Sequence, residues 1–349
     1  MIDGKFMLHV VILLACAVAI YLSCEWFVNA VEWLGLRLKI GPLAVGTVLA
    51  AFGTALPESV VTFVAVVFGS GSEQKDIGVG AAMGGPLALA TAAYGVTGFM
   101  LLTRRRKVTS GAPDRAPDEH GGGGDVGDTR KLARDQQWFL AIFVVKVALG
   151  LVAFAYKPVL GLLFFAAYGV YFWRELRADP AGEDDAVDVE PLRLQPRRTT
   201  PATWAVVTQA VVTLVVIFVA SQLFVHSLEA IGPMIGLPAA VTALLLSPIA
   251  TELPEIMNAI IWVRQGKTHL ALANISGAMM IQATVPSGLG ILFTSWRFDG
   301  PLLLSGVVTI IAMLFLLVAL NSGRFTGRTL TWAAAFYGVF AVCLIPMLA

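Results

Sequence analysis

The chain has 349 residues, of which 57% are hydrophobic and only 13% charged, with a mean hydropathy of +0.79. That composition excludes an ordinary soluble domain and places the chain among integral membrane proteins. The net charge of +1 identifies no partner by itself, and no nucleic-acid partner is expected.

A helical span needs roughly 20 apolar residues. Ten stretches qualify: 6–34, 42–69, 76–102, 137–156, 158–176, 203–231, 237–264, 268–295, 300–320 and 329–348. The first contains too long an apolar run for a signal peptide and is read as an uncleaved span. The fourth and fifth are separated only by Lys157-Pro158. Two polar stretches interrupt the series. Residues 103–136 carry Arg104-Arg105-Arg106-Lys107 and the Gly121–Gly124 run, and residues 177–200 are rich in Asp, Glu, Arg and Pro. Both are expected to be disordered or loosely ordered. The fold class expected is an all-α integral membrane protein. It has two five-helix repeats, 1–176 (with the loop 103–136) and 201–349, joined by a linker at 177–200.

Charge distribution orients the series. With ten spans, the termini and the even-to-odd loops hold only four Lys/Arg: Lys5, Lys75, Lys157 and Arg297. The odd-to-even loops hold nineteen, and Lys146 falls inside the fourth span. Positive charge marks the cytoplasmic side. Both termini are therefore expected outside an inner, cytoplasmic-type membrane.

Span two contains Ala51-Phe52-Gly53-Thr54-Ala55-Leu56-Pro57-Glu58, and span seven contains Ile249-Ala250-Thr251-Glu252-Leu253-Pro254-Glu255. An ionisable residue in hydrocarbon is a functional-site hypothesis by default. An ungapped offset of 197 takes Thr54 to Thr251, Pro57 to Pro254 and Glu58 to Glu255, and Phe27…Glu32 echoes Phe224…Glu229 at the same offset. Five spans per half is odd, so the second half enters the membrane from the opposite side. Transporters with inverted repeats place their sites at the midplane, on broken helices in corresponding positions.

Proline removes an N–H and crowds the carbonyl four residues back. Pro57 thus frees the carbonyl of Gly53, and Pro254 that of Ala250. Freed carbonyls beside carboxylates form a cluster of hard oxygen ligands suited to Ca²⁺, Na⁺ and related cations. Thr54 and Glu58 are four apart and share a helix face, as do Thr251 and Glu255. The threonines either line the site or bond back to their own helix. Asn274 and Gln282 in span eight offer carboxamide oxygens. Glu25 and Lys146 also sit in spans and stay outside the site, each either paired or lining a crevice.

At these residues the chain resembles the cation/Ca²⁺ exchanger superfamily, the sodium/calcium exchangers in particular. Their two inverted repeats carry a G-T-S-x-P-E helix followed by one with G-N-x-x-G-S-N. The resemblance implies that Thr54, Glu58, Thr251, Glu255 and Asn274 are ion ligands. It also implies an antiporter whose first and sixth spans slide over a fixed core. The chain departs from the pattern: the motif Ser is Ala55 and Glu252, the first-repeat Asn is Ala81, and the later Ser-Asn pair is Gly85-Pro86 and Ala278-Met279.

The expected metal site is Glu58, Glu255, Thr54, Thr251, Glu252, Asn274, Gly53 and Ala250. The expected function is exchange of Ca²⁺ or a related cation for Na⁺, with ions as substrates and no cofactor. Cation/H⁺ exchange through Glu252, or a family member that does not transport, stays open. No H-E-x-x-H, no P-loop and no Asp in a span interior points to an enzyme or a primary pump. The expected partners are inorganic cations and the bilayer; no oligomer is implied.

Overall fold

The computed structural model describes residues 4–68, 72–110, 129–178, 189–236 and 242–348. Side chains of several helical residues, Pro57 and Glu58 among them, fall outside that description, as do the Gly121–Gly124 run and the stretch 179–188. The described chain is helical, without a β-strand. The helices are α1 (Gly4–Leu38), α2 (Ala51–Phe63), α3 (Ser72–Ala88), α4 (Tyr94–Ser110), α5 (Thr129–Leu151), α6 (Gly161–Ala178) and α7 (Thr203–Met234). They continue with α8 (Ser247–Thr251), α9 (Leu253–Gln265), α10 (Thr268–Phe293), α11 (Gly300–Asn321) and α12 (Gly327–Leu348). Among the described residues, seven helical segments are long and apolar enough to cross a membrane, and the bent pair ending at Gln265 makes an eighth.

The polarity of the fold is turned inside out. On α1, Leu8, Val11, Leu14, Val18 and Leu22 recur every three or four residues and are each more than half exposed. Val207, Val211, Val215 and Val219 make a similar exposed row on α7. Lipid tails accept such faces at no cost, whereas backbone and polar groups must find partners inside. The interior is accordingly built on α10, buried along nearly its whole length and packed against α2, α3, α5, α6 and α9. Its approach to the first half is backbone-close. A Cβ at Gly277 would lie 2.2 Å from the carbonyl oxygen of Thr47, so only glycine permits that crossing.

Helix ends follow local chemistry. Lys157 is buried, and its ammonium donates to the carbonyls of Leu149, Val152 and Trp296. It thereby satisfies carbonyls left over beyond α5, which explains why the chain can break there. Gly266, at φ +89°, ends α9, and the following N–H of Lys267 returns to the carbonyl of Trp262 at 2.8 Å. Asp299 caps α11 by accepting from the N–H of Leu302 at 3.0 Å.

One expectation needs correction. The linker is not loose where it is described. Asn29 on α1 donates to the carbonyls of Glu190 and Pro191 and accepts from the N–H of Arg193. Gln209 on α7 accepts from the N–H of Leu194 and donates to Asn29 and to the carbonyl of Trp26. Residues 189–201 therefore clamp α1 to α7, the most extensively paired helices in the fold. Glu25 is correspondingly an ion-pair partner of Arg193, at 3.3 Å and partly exposed. With 35 residues, α1 is about 52 Å long at 1.5 Å per residue. It overshoots a hydrocarbon core of about 30 Å, so a residue far along it need not sit at mid-depth.

Candidate cation site

The second acidic segment is a hinge. Pro248 lies in the first turn of α8 and Pro254 in the first turn of α9. Pro254 cannot donate to the carbonyl of Ala250, which weakens the helix at this point and allows it to bend. The two arms meet at an angle of 49°. Glu252 is the residue between them, at φ −85° and ψ 5°, in the sparsely used bridge region of backbone space.

Glu252 is fully buried, and its Oε1 accepts from Nε2 of Gln282 on α10 at 2.6 Å. Gly85 on α3 faces this pair. A Cβ there would come within 2.3 Å of Gln282 Oε1 and 2.8 Å of Glu252 Oε1. Gly84 is as tightly placed against Pro248, 2.7 Å from its Cγ. Two positions at which this chain departs from the exchanger pattern, Gly85 and Glu252, thus meet in space, with Gln282 between them. Glu252 and Gln282 fill volume that any side chain at 85 would need.

Glu255 is buried in the first turn of α9, where the amide end of a helix favours a carboxylate. Against that turn lies α1: the Cys24 thiol donates to the carbonyl of Pro254 at 3.7 Å. Asn274 is fully buried on α10, and neither its Oδ1 nor its Nδ2 has a hydrogen-bond partner among the described residues. The same holds for Asn258, on α9 one turn beyond Glu255. Asn258 was not anticipated from sequence, although a carboxamide three residues after Glu255 in an apolar helix was a usable signal. The pairing of Gln282 with Glu252 could not be read from the chain, because 30 residues separate them.

The threonines are tied to their own helices. Thr54 Oγ1 donates to the carbonyl of Ala50, and Thr251 Oγ1 to that of Pro248, each at 3.1 Å. Those bonds use the hydroxyl hydrogen and leave oxygen lone pairs for another partner. Thr54 is buried, and Thr62, two turns on, is buried with no hydrogen-bond partner for its hydroxyl among the described residues. Ala250 lies in α8 and is buried; Gly53 is packed against α1, with Phe27 Cζ 2.7 Å from where its Cβ would be.

The first acidic segment differs from the second. Instead of breaking at Pro57, α2 is continuous through it, with π-helical turns at Val45–Ala50 and Val64–Phe68 on either side. Wider turns are one way a membrane helix accommodates a proline. Only the second half carries the expected break. Glu58 lies on α2 with its side chain outside the described residues. Among the described residues, no three His, Cys, Asp or Glu side chains converge as a metal centre.

The family model described as sodium/calcium exchanger protein matches residues 8–176 and 205–348. The inner membrane protein YrbG of Escherichia coli (strain K12) is 25% identical over 333 residues, covering 90% of this chain and 92% of that protein. The sodium-calcium exchanger NCX_Mj, solved after soaking in 2.5 mM Na⁺ and 0.1 mM Sr²⁺, superimposes with a TM-score of 0.72 at 17% identity, covering 97% of this chain and 99% of the other. The same exchanger in 10 mM Na⁺ and zero Ca²⁺ gives a TM-score of 0.71 at 17% identity, covering 97% and 99%.

Proposed function

Because this chain belongs to the sodium/calcium exchanger family of membrane transporters, we propose that it is a secondary active antiporter exchanging Ca²⁺ or a related cation for Na⁺. The observation that carries the reading is the pair of fully buried carboxamides without hydrogen-bond partners among the described residues, Asn258 on α9 just after the hinge and Asn274 on α10, which packs against α9. An unsatisfied buried amide costs about 1–3 kcal/mol. A cation that takes the Oδ1 atoms as ligands removes part of that cost.

In this reading Glu58 and Glu255 carry the charge that holds the cation. Thr54, Thr251, Asn274 and the carbonyls of Gly53 and Ala250 supply neutral oxygens. Moving a site that holds two carboxylates through hydrocarbon is costlier without a bound cation than with one, which favours exchange over leak. The transport cycle moves the clamped pair α1 and α7 over the buried core around α10. The ten crossings, the inverted halves 1–176 and 201–349 and the outside termini belong to the same proposal. They are supported by the charge distribution and by helices at 42–68 and 129–151 between the longer spans. An inner-membrane location is supported by the relative of that name.

Cation/H⁺ exchange is a second reading, favoured by Glu252. It places a fully buried carboxyl at the bend itself, where the exchanger pattern has a serine hydroxyl.

Flux measurements in proteoliposomes under imposed Ca²⁺, Na⁺, K⁺ and pH gradients test both. Glu58→Gln and Glu255→Gln are each expected to abolish flux, and flux that survives both rules out this site. Loss of pH dependence alone in Glu252→Ser selects the proton-coupled reading.

A further inference from the structure

Lys146 is the one fully buried lysine among the described residues, and the cation site as assigned does not use it. It sits well inside α5, with its Nζ 4.5 Å from the centre of the Phe143 ring. No carboxylate forms an ion pair with it among the described residues. A buried ammonium without a counter-charge is costly, by several kcal/mol even after relaxation, so its surroundings must provide oxygens.

They come from two proline-broken turns of the central helices. Pro86 in α3 cannot donate to the carbonyl of Ala82, and Lys146 Nζ takes that carbonyl at 2.8 Å. Pro286 in α10 likewise cannot donate to the carbonyl of Gln282. Ser287 Oγ donates to that carbonyl at 3.2 Å and accepts from Lys146 Nζ at 3.1 Å. The same Gln282 holds Glu252 through its side chain. One lysine thus occupies a small oxygen cradle between the helices that flank the candidate site, one residue removed from the hinge carboxylate.

We propose that Lys146 is a tethered cation: its ammonium occupies a monovalent-cation subsite formed by the Ala82 carbonyl and the Ser287 hydroxyl, and replaces one ion that would otherwise bind there. The proposal deepens the antiporter reading and rests on it. It also bears on ion choice, because a site with one positive charge built in requires one fewer bound monovalent ion to balance its carboxylates.

The test is chemical rescue. Full-length wild type, Lys146→Ala and Lys146→Gln are purified, and melting temperatures are compared in choline, ammonium, methylammonium and sodium chloride. Flux is then measured in proteoliposomes under one fixed imposed Na⁺ and Ca²⁺ gradient, with choline, ammonium or methylammonium chloride as the added salt. Lys146→Ala is expected to lose at least tenfold in flux in choline, to recover severalfold in methylammonium or ammonium, and to gain a saturable rise in melting temperature from those cations that wild type lacks. Lys146→Gln keeps hydrogen-bonding capacity without the charge, so it guards against simple misfolding; it is expected to fold and still lose flux in choline. The proposal is overturned if Lys146→Gln transports with the wild-type cation dependence. It is equally overturned if folded Lys146→Ala responds to no small cation beyond the wild-type response. Absence of flux in wild type under every gradient overturns the antiporter reading instead, and the melting-temperature comparison then decides on the subsite alone.

Discussion

Gln282 on α10 donates to Glu252 at the hinge across 2.6 Å, and Gly85 on α3 leaves the space in which that bond forms. The hinge, α10 and the sequence-distant α3 meet at one hydrogen bond. Adding a side chain at 85 is therefore expected to be destabilising. Gly85→Ser should lower stability by about 1–3 kcal/mol, the usual cost of overpacking. Combining it with Glu252→Ser should recover part of that loss, a non-additivity of at least about 0.5 kcal/mol. Melting temperatures of the two single variants and the double variant check this; strict additivity would show that the positions are independent.

Asn274 separates stability from function. Its carboxamide is fully buried without a described partner, so Asn274→Leu removes a desolvation cost and should leave stability unchanged or raised. If the carboxamide oxygen binds the transported cation, the same variant should lose flux by tenfold or more. Melting temperature and flux are read on one preparation. A variant that is stable and transports normally removes Asn274 from the site.

Asn29 holds the linker to both α1 and α7 through four hydrogen bonds. Asn29→Ala removes all four bonds, three of them part-buried, and leaves the buried Gln209 short of one partner, at about 1–3 kcal/mol where water cannot reach. The expected result is faster proteolysis within residues 189–201 than in wild type, with the spans intact. Equal cleavage rates would mean that the clamp holds without Asn29.

Asp135 lies in the charged beginning of α5, before the apolar stretch that starts at 137. Burial, and then the nearby Glu175 carboxylate, push it up from 3.8 to about 7; Lys131, Arg134 and Arg174 oppose the rise. Between those two values the folded protein keeps a proton that the unfolded chain releases. Stability from this group is full below about pH 4 and declines as pH rises towards 7. Asp135→Asn should therefore melt with a weaker pH dependence between 5 and 8, and gain on wild type at the alkaline end. Melting curves at several pH values check the sign; parallel profiles would count against it.

Hydrocarbon imposes its demands locally, and for that reason much of this protein was legible in its amino-acid order. A span must be long and apolar over consecutive residues, so the membrane class and the positions of α1, α7, α10, α11 and α12 follow from hydropathy alone. Proline acts on a carbonyl four residues away, so the bend at Pro254 was legible from the residue itself. Partners that meet through packing are a different matter. Nothing near Pro57 says that α2 stays continuous while the helix at Pro254 bends. The linker reads as loose because its own residues are polar, yet Asn29 and Gln209 order it from other helices. Lys146 finds its oxygens on α3 and α10, and Glu252 finds Gln282 across the core. Sequence by itself determined the membrane class and the long apolar helices. Tertiary structure decided which charges meet which oxygens, because that depends on the surfaces that packing brings together and not on spacing along the chain.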